Sequence, residues 1–483
     1  MTSLAVIIGT LTLLRLILAA IVPVAPDEAY YWVWSHALAP GYVDHPPMVA
    51  LWIRAGTALA GQTALGVRLL GPLAAALASW MLFDAGRRLF DDARAGLIAT
   101  LLLNATLLVG AGSVIMTPDS PLLFFWTACL WATCRLSTDG RAAWWLIAGL
   151  FGGLALDSKY TAMFLWIGIG LWALWVPHVR AWLRRWQPWA ACGIGLLLFA
   201  PVLIWNAQHR WIGLVRQGGR VGDWRPARAL GFLAELLGSQ VGLATPLIFL
   251  LCMIGLLAAC RRAWRGRAPG WSLLALLSLP SILMFLQHAI GDRVQGNWPA
   301  VVYPALTLAA AGVVTGVPRP AGGVLGRWRT AVVLGFAMTG VAYLQAAAGL
   351  FPLPPRLDPV ALRLSGWDTL AGQVQRLALR TDAVYVAAEG YALGGELAWA
   401  LPATIPVLGL DVHWASTTLP RAITAGRPGL LLRDVRNDAA PASPPWSDAE
   451  RVGTVERPGV PAGAYAVYRV SGQDLPAVTL PER

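Results

Sequence analysis

The chain has 483 residues, of which 57 % are hydrophobic and only 13 % charged, and its mean hydropathy is +0.59. Soluble proteins carry about twice that share of charge, so a water-exposed particle of this size is excluded, and with it a cytosolic enzyme. The formal net charge of +12 does not point to nucleic acid: residues 1–349 hold 25 basic and 12 acidic side chains, residues 350–483 hold 12 and 13, and the excess thus lies wholly among apolar runs.

Windows of about 20 apolar residues, the length needed to cross a bilayer, fall near 4–25, 64–84, 95–115, 119–135, 142–157, 160–177, 188–206, 230–259, 271–288, 299–316 and 330–349. The expected architecture is an α-helical integral membrane domain of about 11 transmembrane helices over 1–349, with outer loops at 26–63 and 207–229. The first run, Leu4 to Val24, lacks a charged start and is read as an uncleaved span. Alternate short loops carry Arg87, Arg88 and Arg94; Arg135 and Arg141; Arg180, Arg184 and Arg185; Arg261, Arg262, Arg265 and Arg267; and Arg319, Arg327 and Arg329. By the positive-inside bias these loops are cytoplasmic, which sets the opposite loops and the tail outside the inner membrane, in a periplasm. Eight of the twelve acids of this region, Asp27, Glu28, Asp44, Asp119, Asp157, Asp223, Glu235 and Asp292, fall on that outer side. Acids barely influence topology, so their gathering points to a polar site there.

Residues 350–483 change character. A Pro-rich hinge, Phe351-Pro-Leu-Pro-Pro355, precedes alternating patterns: helix over Gly366–Leu379, strand over Ala383–Ala388, helix over Tyr391–Leu401, and strands near Pro406–Leu410, Gly429–Arg433 and Ala464–Val470. This predicts a small soluble α/β domain. Cys129, Cys134, Cys192, Cys252 and Cys260 all lie in or beside apolar runs and form neither a disulfide framework nor a zinc spacing. No glycine-rich nucleotide motif occurs, so no nucleotide cofactor is expected.

Four outer segments could carry chemistry. The first contains Asp27-Glu28-Ala-Tyr30 directly after a span, then Asp44-His45-Pro46-Pro47. Acids at a membrane edge are costly and thus functional candidates, although Tyr and Trp at this depth also suit an interfacial aromatic belt. In the second, Thr117-Pro118-Asp119, the acid is a site residue or a helix N-cap, and the two roles are compatible. The third, 207–229, contains His209, Arg210, Arg216, Arg220, Arg225 and Arg228. Five Arg on the outer side contradict the positive-inside bias, and Arg is the residue type for bidentate phosphate contacts; outer-leaflet head groups offer another partner. The fourth, Asn297-Trp298-Pro299 leading to Tyr303, suits sugar hydroxyls and faces as well as an interfacial anchor. Lys159, the one Lys beside 36 Arg, stands in a tight turn next to Asp157, where it serves phosphate or sugar, or simply pairs with that acid.

Taken together, Asp27-Glu28, Asp44-His45-Pro46-Pro47, Thr117-Pro118-Asp119, Lys159 and Asn297-Trp298-Pro299 resemble the polyprenyl-phosphate-sugar-dependent membrane glycosyltransferases of GT-C architecture, the branch containing aminoarabinose transferase and protein O-mannosyltransferase (glycosyltransferase family 39). The resemblance covers residues 1 to about 350 in motif order. It implies Asp27 as the catalytic carboxylate and Asp119 as a supporting acid. Glu28, Tyr30, His45, Lys159, Arg210, Arg216, Arg220, Asn297, Trp298 and Tyr303 would be substrate contacts, and Asp44 with His209 candidate ligands for a divalent metal (Mg, Mn or Zn). His45 stands where aminoarabinose transferases tend to have Lys. The implied partners are a polyprenyl-phosphate sugar, a lipid A-like, lipopolysaccharide or other cell-envelope glycan acceptor, less readily a protein, and membrane lipids. The chemistry is coherent on its own terms, since attack of a hydroxyl on a sugar carbon needs one base and a cation to hold the departing phosphate. A lipid or polysaccharide transporter is the competing reading, and it predicts charges at mid-depth in paired broken helices.

Overall fold

The computed structural model describes residues 2–219, 225–316, 323–422, 424, 426–437, 441, 445–472 and 477–483. The chain divides into two compact units, one of residues 1–17, 44–49 and 70–343, the other of residues 18–43, 50–69 and 344–483.

The first unit is helical and makes this a multi-span membrane protein. Seven helices of the whole chain are long and apolar enough to cross a bilayer among the described residues: Thr2–Ile21, Ala64–Leu89, Trp186–Gln208, Pro246–Gly266, Pro269–Gly291, Trp298–Thr315 and Trp328–Ala348. Shorter apolar helices, Met48–Ala60, Ala93–Asn104 and Ala143–Leu156, accompany them, and Tyr160–Trp175 bends by 102° into Pro177–Arg184. Small residues bring the helices close, as expected where lipid gives no hydrophobic drive between them. A side chain on Gly149 would meet the Ala191 carbonyl oxygen at 2.5 Å, and one on Gly86 the Cα of Gly96 at 2.7 Å.

Two elements differ from expectation. The run 230–259 is two helices, Ala229–Leu243 and Pro246–Gly266. Thr245 between them has φ +67°, and Pro246 supplies no N–H to continue the ladder. The segment 26–63 is not a loop but mostly helix, Pro26–His36 and Met48–Ala60. On the Arg-rich side, Asp84 and Asp139 are absorbed by arginines: Asp84 accepts from Arg87 at 2.8 Å and Arg88 at 3.0 Å and lies 3.3 Å from Arg135, while Arg88 also donates to Asp139 at 3.0 Å. Deep in the first helix, Arg15 is buried and bonded to Tyr343, whose hydroxyl donates to the Gly110 carbonyl at 2.8 Å. It is a helix-to-helix tie and not part of a row of mid-depth charges.

The second unit contains a six-stranded mixed sheet in the order β4-β5-β3-β1-β2-β6, with β1 Val386–Ala388, β2 Val407–Gly409, β3 Gly429–Asp434, β4 Trp446–Glu456, β5 Ala464–Gly472 and β6 Val478–Thr479. β1 is parallel to both β2 and β3, and the other pairings are antiparallel. Tyr385, Leu408, Leu431, Trp446 and Tyr468 are among its core residues. Helices Trp367–Arg380 and Tyr391–Ala400 stand where periodicity put them. β4 escaped prediction because it is an edge strand with Asp448, Glu450 and Arg451 exposed, so its alternation is poor in apolar residues. Helix Pro26–His36 belongs to this unit and packs on Tyr391–Ala400, where a Cβ on Gly395 would lie 3.0 Å from the Tyr30 amide nitrogen.

Candidate active site

In the second unit the site begins where the first long helix ends. Ala25 is the N-cap of helix Pro26–His36, Pro26 occupies its first turn, and Glu28 reaches back to accept the Ala25 N–H at 2.9 Å. That capping box fixes Glu28 inward. Arg68 then clasps it with two bonds, Nε to Oε1 at 2.7 Å and Nη2 to Oε2 at 2.5 Å, and both side chains are 0 % exposed. The same guanidinium donates to the carbonyls of Val22 at 2.6 Å, Pro23 at 2.6 Å and Ala19 at 3.2 Å. One ion pair therefore caps the end of one helix and the start of the next, which satisfies the orphan groups that a buried helix terminus leaves. Expected as a substrate contact, Glu28 instead has both oxygens engaged in holding the turn.

Asp27 precedes Glu28 by one residue and therefore points about 100° away around the helix. Its side chain is 42 % exposed, with Arg363 Nη1 3.8 Å from Oδ2. Tyr30 also turns inward: it is 1 % exposed, with ring centroids of Trp34, Tyr391 and Trp414 within 4.5 to 5.1 Å. It is a member of an aromatic core and gives a substrate no open face.

In the first unit, a second polar centre joins three segments distant in sequence. Asp119 opens helix Asp119–Asp139 without capping it; Ser120 closes that turn by accepting the Thr117 N–H at 3.2 Å. The Asp119 carboxylate accepts from Lys159 Nζ at 2.7 Å on Oδ1 and from Asn297 Nδ2 at 2.7 Å on Oδ2. Lys159 is buried, 5.5 Å from the centroid of the Trp298 ring. The pairing of Lys159 with its near neighbour Asp157 does not form, because Lys159 is extended (φ −161°) at the mouth of a short 3-10 turn. Asp157 stays buried in the turn, one carboxylate oxygen lacking a hydrogen-bond partner, and its burial pushes the carboxyl up to about 7. Its backbone carbonyl accepts the Met48 N–H at 3.0 Å.

That bond ties Asp157 to the segment Asp44-His45-Pro46-Pro47. Asp44 is paired with Arg216 Nε at 2.7 Å, and its carbonyl accepts from Gln217 at 2.7 Å, so helix Ile212–Gly219 is docked on it. His45 is buried nearby in sequence. Arg210 is exposed on a sharp corner in which Arg210 and Trp211 have φ of +55° and +60°. Arg220 lies outside the described residues. Tyr303 is 2 % exposed with its hydroxyl donating to Gln240 at 3.1 Å, so it is a buried core contact and not a free sugar platform.

Comparison with known proteins bears on this geometry. Residues 44–205 match the model of the dolichyl-phosphate-mannose-protein mannosyltransferase family. The chain is 30 % identical over 351 residues to the lipid A galacturonosyltransferase RgtD of Rhizobium johnstonii, an alignment spanning 71 % of this chain and 68 % of that one. It belongs to the GT-C membrane glycosyltransferases. An undecaprenyl phosphate aminoarabinose arabinosyl transferase of Pseudomonas aeruginosa is 27 % identical over 309 residues, 58 % of this chain and 53 % of the relative. The fold is similar to the crystal structure of ArnT from Cupriavidus metallidurans bound to undecaprenyl phosphate, with a TM-score of 0.64 at 13 % identity, covering 97 % of this chain and 98 % of that one.

Within this GT-C enzyme the expected metal pair does not fit. Asp44 is neutralised by Arg216, while His209 stacks on Trp205 at 4.1 Å and has Nδ1 on the Trp205 carbonyl at 2.8 Å. Among the described residues no three of His, Cys, Asp and Glu gather as a metal-binding group. Sequence reasoning missed Arg68 and Arg363. Arg68 had a signal, an Arg inside an apolar run that must find a buried partner; Arg363, in a polar stretch of the tail, had none.

Proposed function

We propose that this enzyme moves a sugar from a polyprenyl phosphate to a hydroxyl of a lipid A-like acceptor, with inversion, at the outer face of the inner membrane. The observation that carries the reading is the divergence of the two adjacent acids. Glu28 is sealed by Arg68, while Asp27, at the same helix start, stays 42 % exposed. A base must be open to the proton that it takes, and Asp27 alone of the pair is.

In the proposed reaction, Asp27 takes the proton of the acceptor hydroxyl as its oxygen bonds to the sugar carbon. The bond from that carbon to the lipid phosphate breaks on the opposite side, and the electron pair leaves with the phosphate. Cations stabilise that departing charge; Lys159, held by the Asp119 carboxylate to which Asn297 also donates, and the exposed Arg210 are the groups proposed for it. Asp119 is thereby a supporting acid: it anchors Lys159 and is not itself the base. No step passes through a metal, because Asp44 and His209 are engaged elsewhere. The outer orientation rests on the Arg asymmetry of the loops.

Purified protein incubated with undecaprenyl-phosphate galacturonic acid or aminoarabinose and lipid A, followed by mass spectrometry, should show donor loss matched by a heavier acceptor. Donor that stays intact with every acceptor and sugar tried would reject the reading. Reporter fusions at Gly366 and Arg427 test the orientation: phosphatase activity supports it, and cytoplasmic fluorescence from both overturns it.

A further inference from the structure

The tail supplies groups to the helix that carries Asp27. β1 is flanked on both sides by parallel partners, and the chain passes from β1 to β2 and then back across to β3. Ligands of open α/β sheets are bound beyond the carboxyl ends of such strands. Here those ends carry Glu389 and Tyr391 after β1, Asp411 and His413 after β2, and Arg433 at the end of β3. Glu389 accepts from Arg433 at 2.9 and 3.0 Å and closes one flank. Asp411 accepts the His413 N–H at 2.9 Å, is also paired with the His413 ring, and takes the Tyr391 backbone N–H. Burial pushes the Asp411 carboxyl up, but these donors outweigh it and hold it below the usual range. Tyr391, half-buried, is thereby fixed between the His413 ring at 4.6 Å and the Tyr30 ring at 4.5 Å, one helical turn beyond Asp27. From the segment before helix Trp367–Arg380, Arg363 reaches Asp27 itself at 3.8 Å with 69 % of its side chain exposed.

An inverting displacement places the attacking hydroxyl and the departing phosphate on opposite sides of the sugar carbon. Groups that touch the base are therefore on the acceptor's side of the reaction. Arg363 is paired with Asp27, and an exposed guanidinium suits a phosphate, while an aromatic ring suits a sugar face. We infer that Arg363 and Tyr391 form a subsite for the head group of a phosphorylated sugar acceptor, with Arg363 on its phosphate and Tyr391 along its ring. This rests on the reading of Asp27 as the base. Asp411 and His413 are positioning residues that fix Tyr391.

The test compares wild type, Arg363→Ala, Tyr391→Phe and Tyr391→Ala with phosphorylated and enzymatically dephosphorylated lipid A, at fixed undecaprenyl-phosphate sugar. Arg363→Ala is expected to raise the KM for the phosphorylated acceptor about ten-fold, the size of one charge-assisted contact, without moving the donor KM, and to raise the KM for the dephosphorylated acceptor several-fold less. Tyr391→Phe, which keeps the ring, should stay near wild type while Tyr391→Ala loses affinity for both acceptors. Equal loss on both acceptors in Arg363→Ala, or a changed donor KM, overturns the inference. So does a fall in kcat confined to low pH with an unchanged acceptor KM, which would mean that Arg363 only keeps Asp27 ionised. Binding of radiolabelled lipid A to the detergent-solubilised protein without donor is measured in parallel. If wild type turns over no donor yet Arg363→Ala still weakens this binding, the proposed reaction fails and the subsite stands; if binding is unaltered, the subsite fails whatever the turnover.

Discussion

Asp27 and Asp119 have the same side chain and each stands in the first turn of a helix, yet the two regions treat them oppositely. Around Asp119 every oxygen is engaged: Lys159 takes one and Asn297 the other, both at 2.7 Å. Around Asp27 the neighbour Glu28 has drawn off the buried arginine, leaving a carboxylate that is 42 % exposed beside a loosely placed Arg363. A carboxylate held on both oxygens by a cation and an amide is a poor proton acceptor and a good anchor; one that keeps part of its surface exposed is better placed to take a proton. The two carboxylates thus differ by hydrogen-bond supply and not by residue type.

The largest effect is expected from removing the lock beside Asp27. Arg68→Ala leaves Glu28 buried without its cation, a loss of about 3 to 5 kcal/mol; thermal melting in detergent should show a large drop, and an unchanged melt would mean that the pair contributes nothing to the turn. Asp27→Asn keeps shape and folding and should lower turnover by about 100-fold or more. Parental activity in that variant would take the base away from Asp27.

Lys159→Arg probes the Asp119 centre. A planar guanidinium cannot occupy the tight point between Asp119 and Trp298 as an ammonium does, so insertion and melting should be near normal while transfer falls roughly ten-fold. Wild-type rates there would reduce the centre to a structural ion pair. Arg210→Ala is expected to raise the donor KM by about three- to ten-fold, because its charge is exposed and screened; an unchanged donor dependence would return the corner to outer-leaflet head groups.

The smallest effect concerns Asp157. Its carboxyl, pushed up to about 7 by burial, holds a proton in the folded protein that the unfolded chain releases near pH 4. The folded state therefore binds more protons, and stability falls as pH rises from about 4 toward about 7, then levels off. Asp157→Asn removes that slope: its melting temperature should equal wild type at pH 4 and exceed it by an increasing margin up to pH 7. A margin that shrinks with pH would show that Asp157 is stabilised as an anion.

Composition and period alone carry a large part of this molecule. Lipid as the solvent, the positions of most apolar helices, the Arg-rich loops and most of the tail's helices and strands follow from runs and alternations a few residues long. So did the candidate Asp27, because a charge at a membrane edge is conspicuous by cost. The fold determined which acid of Asp27-Glu28 is sealed in an ion pair and which keeps solvent exposure, since that outcome turns on Arg68, 40 residues from Glu28. It likewise gave Lys159 to Asp119 instead of Asp157, paired Asp44 with Arg216, turned Tyr30 and Tyr303 inward, and set Arg363 on Asp27. Each of these outcomes is a competition among several possible partners for one charge or one hydrogen bond. Chain spacing does not rank such partners, and distance in the folded protein does.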